Sequence, residues 1–207
     1  MTAVKTSFNW PRNSCWGSVL LLAGLLGGCA KAPPQDLNAS YERALERTAP
    51  LAVVYEPGSE APQAAFGRLQ TYFTNMTAAS VREQTAAVYA PDAYLNDTLA
   101  GIDGAAHIER YFHHTMQKTR VLNVRFIDRA QTGIDWFVRW EMTVEHGSLA
   151  GGEPVLSYGV TQFRFDKEGR VLLHKDFWDA GTGLYEHLPV LGSVIRRLRA
   201  AAEAGAE

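Results

Sequence analysis

The chain has 207 residues, 46% of them hydrophobic and 20% charged, a globular composition that excludes disorder, collagen and coiled coil. Lys plus Arg total 20 and Asp plus Glu total 22, so the net charge is −2, and no long basic run marks a nucleic-acid binder. The only cysteines, Cys15 and Cys29, precede residue 30, which excludes a disulfide framework or a cysteine-ligated zinc site in the remainder.

Residues 1–28 carry Lys5, Arg12 and no acidic residue, then the apolar run from Trp16 to Leu26. The run has the length of a signal-peptide core and is short of the roughly 20 residues of a membrane span. It closes on Leu26-Gly27-Gly28-Cys29, which resembles the bacterial lipobox. That resemblance implies cleavage before Cys29, lipidation of its thiol, and anchoring in the bacterial cell envelope. Ala30 rather than Asp follows the cysteine, so the outer membrane, facing the periplasm, is expected rather than the inner membrane. The mature chain keeps 18 basic and 22 acidic residues, net −4.

Residues 29–61 read as a tether, with Pro33-Pro34, Pro57-Gly58 and room for a short helix over Tyr41–Arg47. From Pro62 the apolar period is helical: Phe66, Leu69, Phe73 and Met76 make one stripe. A second helix is predicted over Ala79–Tyr89, with Val81, Thr85 and Val88 inward, and a short extended piece over Ala93–Asp97. Asp103 is placed to cap a third helix, Gly104–Gln117, burying Ile108, Tyr111 and Phe112.

Four strands follow, over Val121–Asp128, Asp135–Glu145, Val155–Phe165 and Arg170–Trp178. The second alternates strongly, with Trp136, Val138, Trp140, Met142 and Val144 on one face. Three helices then four long antiparallel strands predict an α+β fold with helices packed on a curved sheet. In the extension 181–207, residues Val190–Ala201 are amphipathic, with Leu191, Val194, Ile195 and Leu198 opposite Arg196, Arg197 and Arg199. Packing on the sheet is the preferred reading; contact with anionic lipid or a partner is the other.

Several stretches resemble the nuclear-transport-factor-2-like superfamily, in particular SnoaL-like and ketosteroid-isomerase-like domains. They are Tyr89–Asp97, Gly104–Phe112, Phe163–Asp166, Gly169–Val171 and His174–Asp179, within a domain over 62–180. The resemblance implies a cone, a strongly curved antiparallel sheet closed by three helices (a cystatin-like roll) around a pocket. It also implies work without cofactor or metal, and a homodimer through the sheet face. By position, Asp97 falls where the isomerases hold a general base, Tyr72 near their oxyanion-donating tyrosine, and Thr161 at their second, acidic oxyanion donor. A threonine hydroxyl there is a departure, because it is a weaker acid than a carboxylic acid.

Alternation points His174, Asp176 and Trp178 to one side of the last strand. Three readings are open for the His174–Asp176 pair: a solvated surface dyad, a buried pair shaping a cavity, or an acid–base dyad. Trp140, Met142 and Trp178 are expected to line the pocket beside Tyr72 and Thr161. Two functions follow. One is an envelope-tethered module binding a small hydrophobic molecule. The other is a cofactor-independent isomerase, dehydratase or cyclase in which Asp97 and His174–Asp176 shuttle protons.

Overall fold

The computed structural model describes residues 35–56 and 59–205. The leader, Cys29 and the Pro33-Pro34 segment lie outside the described residues.

Asp36 caps α1 (Leu37–Thr48), its carboxylate accepting from the amides of Asn38 and Ala39. Pro62 sits in the first turn of α2 (Ala61–Phe73), where its missing N–H costs nothing. Thr77 and Ser80 exchange reciprocal bonds at the start of α3 (Ala78–Val88). The chain passes directly into β1 (Tyr89–Asn96), turns through β2 (Gly101–Asp103) and enters α4 (Ala105–Met116). Asp103 does not cap α4, contrary to expectation. Gly104, at φ 87°, holds the cap position, and Asp103 pairs instead with Arg47 at 2.6 Å.

The long strands are β3 (Thr119–Thr132), β4 (Asp135–His146), β5 (Val155–Phe165) and β6 (Val171–Trp178). A short helix α5 (Ala180–Gly183) and the terminal helix α6 (Leu191–Ala204) complete the chain. All six strands form one sheet in the order β2-β1-β6-β5-β4-β3. The four long strands pair antiparallel, as the alternation predicts, whereas β1 joins β6 in parallel. Register shifts at Phe126/Asp128 and Arg164/Phe165 mark irregularities of the kind that bend strands and curl a sheet.

The concave face receives α2 to α4. Phe66, Leu69, Tyr72, Phe73, Ile108 and Phe112 meet Trp136, Val138, Trp140 and Phe163 in one core. The predicted helical stripe, Phe66, Leu69, Phe73 and Met76, is buried throughout.

Two elements depart from the sequence reading. The segment assigned to the tether contributes α1, which lies on the other face of the sheet and is part of the domain. Ala44 packs with Tyr94 and Leu173, and Arg164 bonds the Leu45 carbonyl and Thr48. The interior polar residues Gln162 and Arg164 supply partners that a bare apolar pattern does not reveal.

The second departure is α6, which does not pack its apolar side on the sheet. Leu191, Val194 and Leu198 are 40%, 47% and 63% exposed, and the helix rests mainly on the turn at 185–187. Arg196 bonds the Glu186 carbonyl and Arg199 pairs with the Glu186 carboxylate. Leu184 and Leu188, just before it, face the hollow of the sheet instead.

Candidate functional site

The hollow is a cavity of about 440 Å³, bounded by the concave sheet, α4 and the turn after α5. Asp97, Trp140, Met142, Thr161, His174, Asp176 and Trp178 all line it. Phe73, Tyr111, Phe112, Leu122, Phe126 and Phe163 supply much of its apolar wall.

Strand register brings the polar groups together. The parallel pairing of β1 with β6 sets Leu95 against His174 and Asn96 against Lys175. One residue beyond the strand, Asp97 lines the same cavity as Asp176. Across the other edge of β6, Thr161 lies opposite Asp176 and Gly159 opposite Trp178. Gly159 is required by close approach: a Cβ there would stand 2.3 Å from the Trp140 ring.

Asp97 folds its own loop. Oδ1 accepts from the amides of Leu99 at 3.0 Å and Ala100 at 2.9 Å, while Oδ2 accepts from the Tyr111 hydroxyl. Its carbonyl accepts from Trp178 Nε1 at 3.0 Å, tying the loop to β6. Burial, then the negative charge of Asp97, raises the Tyr111 phenol well above its ordinary range, so Tyr111 stays a donor.

His174, almost fully buried, is held at both ring nitrogens. Nε2 lies 2.9 Å from Asp176 Oδ1, and Nδ1 lies 2.8 Å from the Tyr89 hydroxyl. A carboxylate only accepts, so Nε2 carries the proton. The Tyr89 phenol is raised well above its ordinary value, chiefly by burial, and gives its proton to Nδ1. Both ring nitrogens are therefore engaged within the wall.

The remaining donors are spent within the wall. Trp140 Nε1 donates to Thr161 Oγ1 at 2.7 Å, and the Thr161 hydroxyl donates to Asp176 Oδ1. Trp178 Nε1 serves Asp97 and Thr98, while Thr115 and Thr119 bond carbonyls of α4. Among the described residues, Asp176 Oδ2 is the carboxylate oxygen at this end of the cavity with no protein partner.

This inventory changes two sequence expectations. Thr161 has no hydrogen left for a ligand oxygen, because its single proton goes to Asp176. Tyr72 does not line the cavity. It is fully buried between Phe73, Tyr89 and Phe112, and donates to Thr85, whose own hydrogen goes to the Val81 carbonyl. Phe73, the next residue, takes the inward position. Tyr111 and Tyr89 are the tyrosines that serve the site. The helical spacing from Ile108 and Phe112 could have indicated Tyr111; nothing local distinguishes Tyr89. Among the described residues, no three His, Cys, Asp or Glu side chains are grouped to hold a metal ion.

A family model described as a SnoaL-like domain matches residues 69–174, half of the chain. The chain belongs to the SnoaL-like family. The match runs from Leu69 in α2 to His174 itself, so it spans both the helical lid and most of the cavity wall. No curated protein matches the sequence. Among solved structures, the SnoaL-like domain is similar to an LEH-like epoxide hydrolase from M. tuberculosis (14% identity, 61% of this chain and 89% of that one, TM-score 0.50). It is similar also to a protein with a ketosteroid-isomerase-like fold from Catenulispora acidiphila, solved with trimethylamine (14%, 60% and 93%, TM-score 0.52). A third is a protein assigned as a polyketide cyclase from Acidithiobacillus ferrooxidans (14%, 64% and 97%, TM-score 0.52). At such identities the likeness is one of fold.

Proposed function

We propose that the SnoaL-like domain binds a small hydrophobic molecule in the cone and moves a proton on it, with Asp176 as the group that takes the proton. The observation that carries this reading is the free Oδ2 of Asp176 in a largely apolar cavity whose neighbouring donors are all engaged. His174 and Thr161 hold Oδ1, which leaves the second oxygen oriented and available. A proton leaving an X–H bond of the ligand goes to Oδ2, and the resulting carboxylic acid returns it to another atom of the same molecule. The sum is an isomerisation or cyclisation, with atoms conserved. Asp97, saturated by Tyr111 and two amides, acts as a fixed negative wall rather than as the base that position alone suggested.

The test pairs native mass spectrometry of protein purified from its own cells with a turnover screen of small apolar compounds. A retained ligand and a substrate whose turnover falls by about 10²-fold or more in Asp176→Asn support the proposal. Failure of any compound to bind saturably, or undiminished turnover in that variant, overturns it.

Tethering at the envelope is part of the same proposal. It is supported by the order of charge, apolar run and small-small-Cys before Cys29. Two acyl chains or more give the stable attachment that one does not. Incorporation of labelled palmitate, abolished in Cys29→Ala, and recovery in outer-membrane fractions are expected; a soluble, unlabelled protein contradicts it. The sheet-face homodimer is carried forward on exposed Leu156, Tyr158 and Phe177, beside the area α1 covers. Sedimentation of the wild type against Tyr158→Arg decides it: a dimer that the variant splits is expected, and a wild-type monomer rejects it.

A further inference from the structure

Resting on the ligand-binding reading, a finer statement about the ligand follows from two independent properties of the cavity wall. The first is charge. Asp97 and Asp176 line the cavity and no Lys or Arg does. His174 spends both ring nitrogens on Tyr89 and Asp176, and His146 lies at the far end of β4 from Trp140, about 20 Å along the strand. The nearest cation on β6, Lys175, alternates to the opposite face, bonding Asn96 Oδ1 at 3.0 Å with its ammonium 5.0 Å from the Phe177 ring centroid. The wall thus offers two carboxylates with no Lys or Arg in the lining, and the low polarity of its surroundings strengthens their attraction for a cation.

The second property is the hydrogen-bond inventory. At the polar end, Tyr111, Thr161, Trp140, Trp178 and His174 have all given their protons to protein acceptors. A ligand offering only acceptors, such as a ketone or a carboxylate, finds no donor there. A ligand offering a donor finds Asp176 Oδ2. Trp140, Trp178 and Phe163 line the same cavity and supply aromatic surface of the kind that attracts cations.

We infer that the cavity takes a protonated secondary or tertiary amine with an apolar body, its N–H directed to Asp176 Oδ2 and its alkyl and ring surface against Trp140, Trp178 and Phe163. An alcohol satisfies the hydrogen-bond condition but not the charge; a carboxylate fails both.

The experiment is calorimetric titration at neutral pH of the full-length protein, using four naphthyl compounds of matched size. They bear a dimethylaminoethyl, a hydroxyethyl, an acetyl or a carboxymethyl group. The expected order is amine, alcohol, ketone, carboxylate, with the amine about tenfold or more tighter than the alcohol. In Asp176→Asn the amine-to-alcohol ratio is expected to fall toward one; the wild-type order decides the matter alone if that variant does not fold. Equal or tighter binding of the alcohol, ketone or carboxylate overturns the amine assignment and leaves the cavity reading standing. A ratio unchanged in Asp176→Asn overturns the role given to Oδ2. Absence of binding by all four overturns both the amine assignment and the cavity reading on which it rests.

Discussion

The Tyr89 hydroxyl stands 2.8 Å from His174 Nδ1, and its one proton decides which imidazole nitrogen is left to serve Asp176. With Nδ1 engaged as an acceptor, the Nε2 proton is committed to the carboxylate 2.9 Å away. In Tyr89→Phe the buried Nδ1 loses its donor. A cost of about 1–3 kcal/mol is expected, together with loss of the single tautomer. Nitrogen-15 spectra of His174 check it: the wild type is expected to show a proton on Nε2 alone, and a protonated Nδ1 contradicts the arrangement.

Gly159 and Trp140 are coupled by space. A methyl group at Gly159 would lie 2.3 Å from Cζ2 and 2.5 Å from Cη2 of the indole, and 2.8 Å from Trp178 Cβ. Gly159→Ala is expected to push Trp140 off Thr161, at a cost of about 1–3 kcal/mol. Thermal denaturation and a red shift in tryptophan emission read this. An unchanged melting temperature would show that the wall yields more easily than its packing implies.

Arg164 joins α1 to the sheet. It pairs with Asp135 at 2.6 Å with little exposure on either side, and it bonds the Leu45 carbonyl and Thr48. Arg164→Met leaves Asp135 without its partner, and a loss of about 3 kcal/mol is expected. Hydrogen exchange is expected to quicken in α1 before it does in β5. Equal protection of α1 in the two proteins would place its anchorage elsewhere.

Three phenols predict the alkaline limit of stability. Burial raises Tyr72, Tyr89 and Tyr111 above the ordinary value of 10.0. Because the folded chain holds these protons more tightly than the unfolded chain, their contribution is complete below pH 10 and is lost as pH rises through the folded-state values. Phenolate absorbance is expected to show part of the eight tyrosines ionising only together with loss of near-ultraviolet circular dichroism. Complete ionisation of all eight in a folded protein contradicts their placement.

Much of the frame was legible in the chain. The stripe Phe66–Leu69–Phe73–Met76 and the alternation through Trp136, Val138 and Trp140 are periodicities that backbone geometry imposes wherever one face is buried. The same alternation placed His174, Asp176 and Trp178 on one wall. The α1 helix was harder to see as part of the domain, because it binds through Arg164, Gln162 and backbone carbonyls as much as through apolar contacts. The α6 pattern misled for the opposite reason: an apolar side records a capacity for burial, not its fulfilment, and Leu184 and Leu188 occupy the hollow before the helix begins.

Sequence by itself determined the α+β order, the inward faces of the strands and the shared side of His174, Asp176 and Trp178, since local periodicity suffices for these; the meeting of Asp97 and Thr161 with them rests on strand pairing across the sheet. Tertiary structure alone decided which tyrosines serve the site and which hydrogen each donor gives away. Tyr72 and Tyr89 are equally buried and equally polar in the chain. Only the crossing of α2, α3 and β1 over the sheet sets one hydroxyl against Thr85 and the other against His174, because a hydrogen bond depends on distances between residues far apart in sequence.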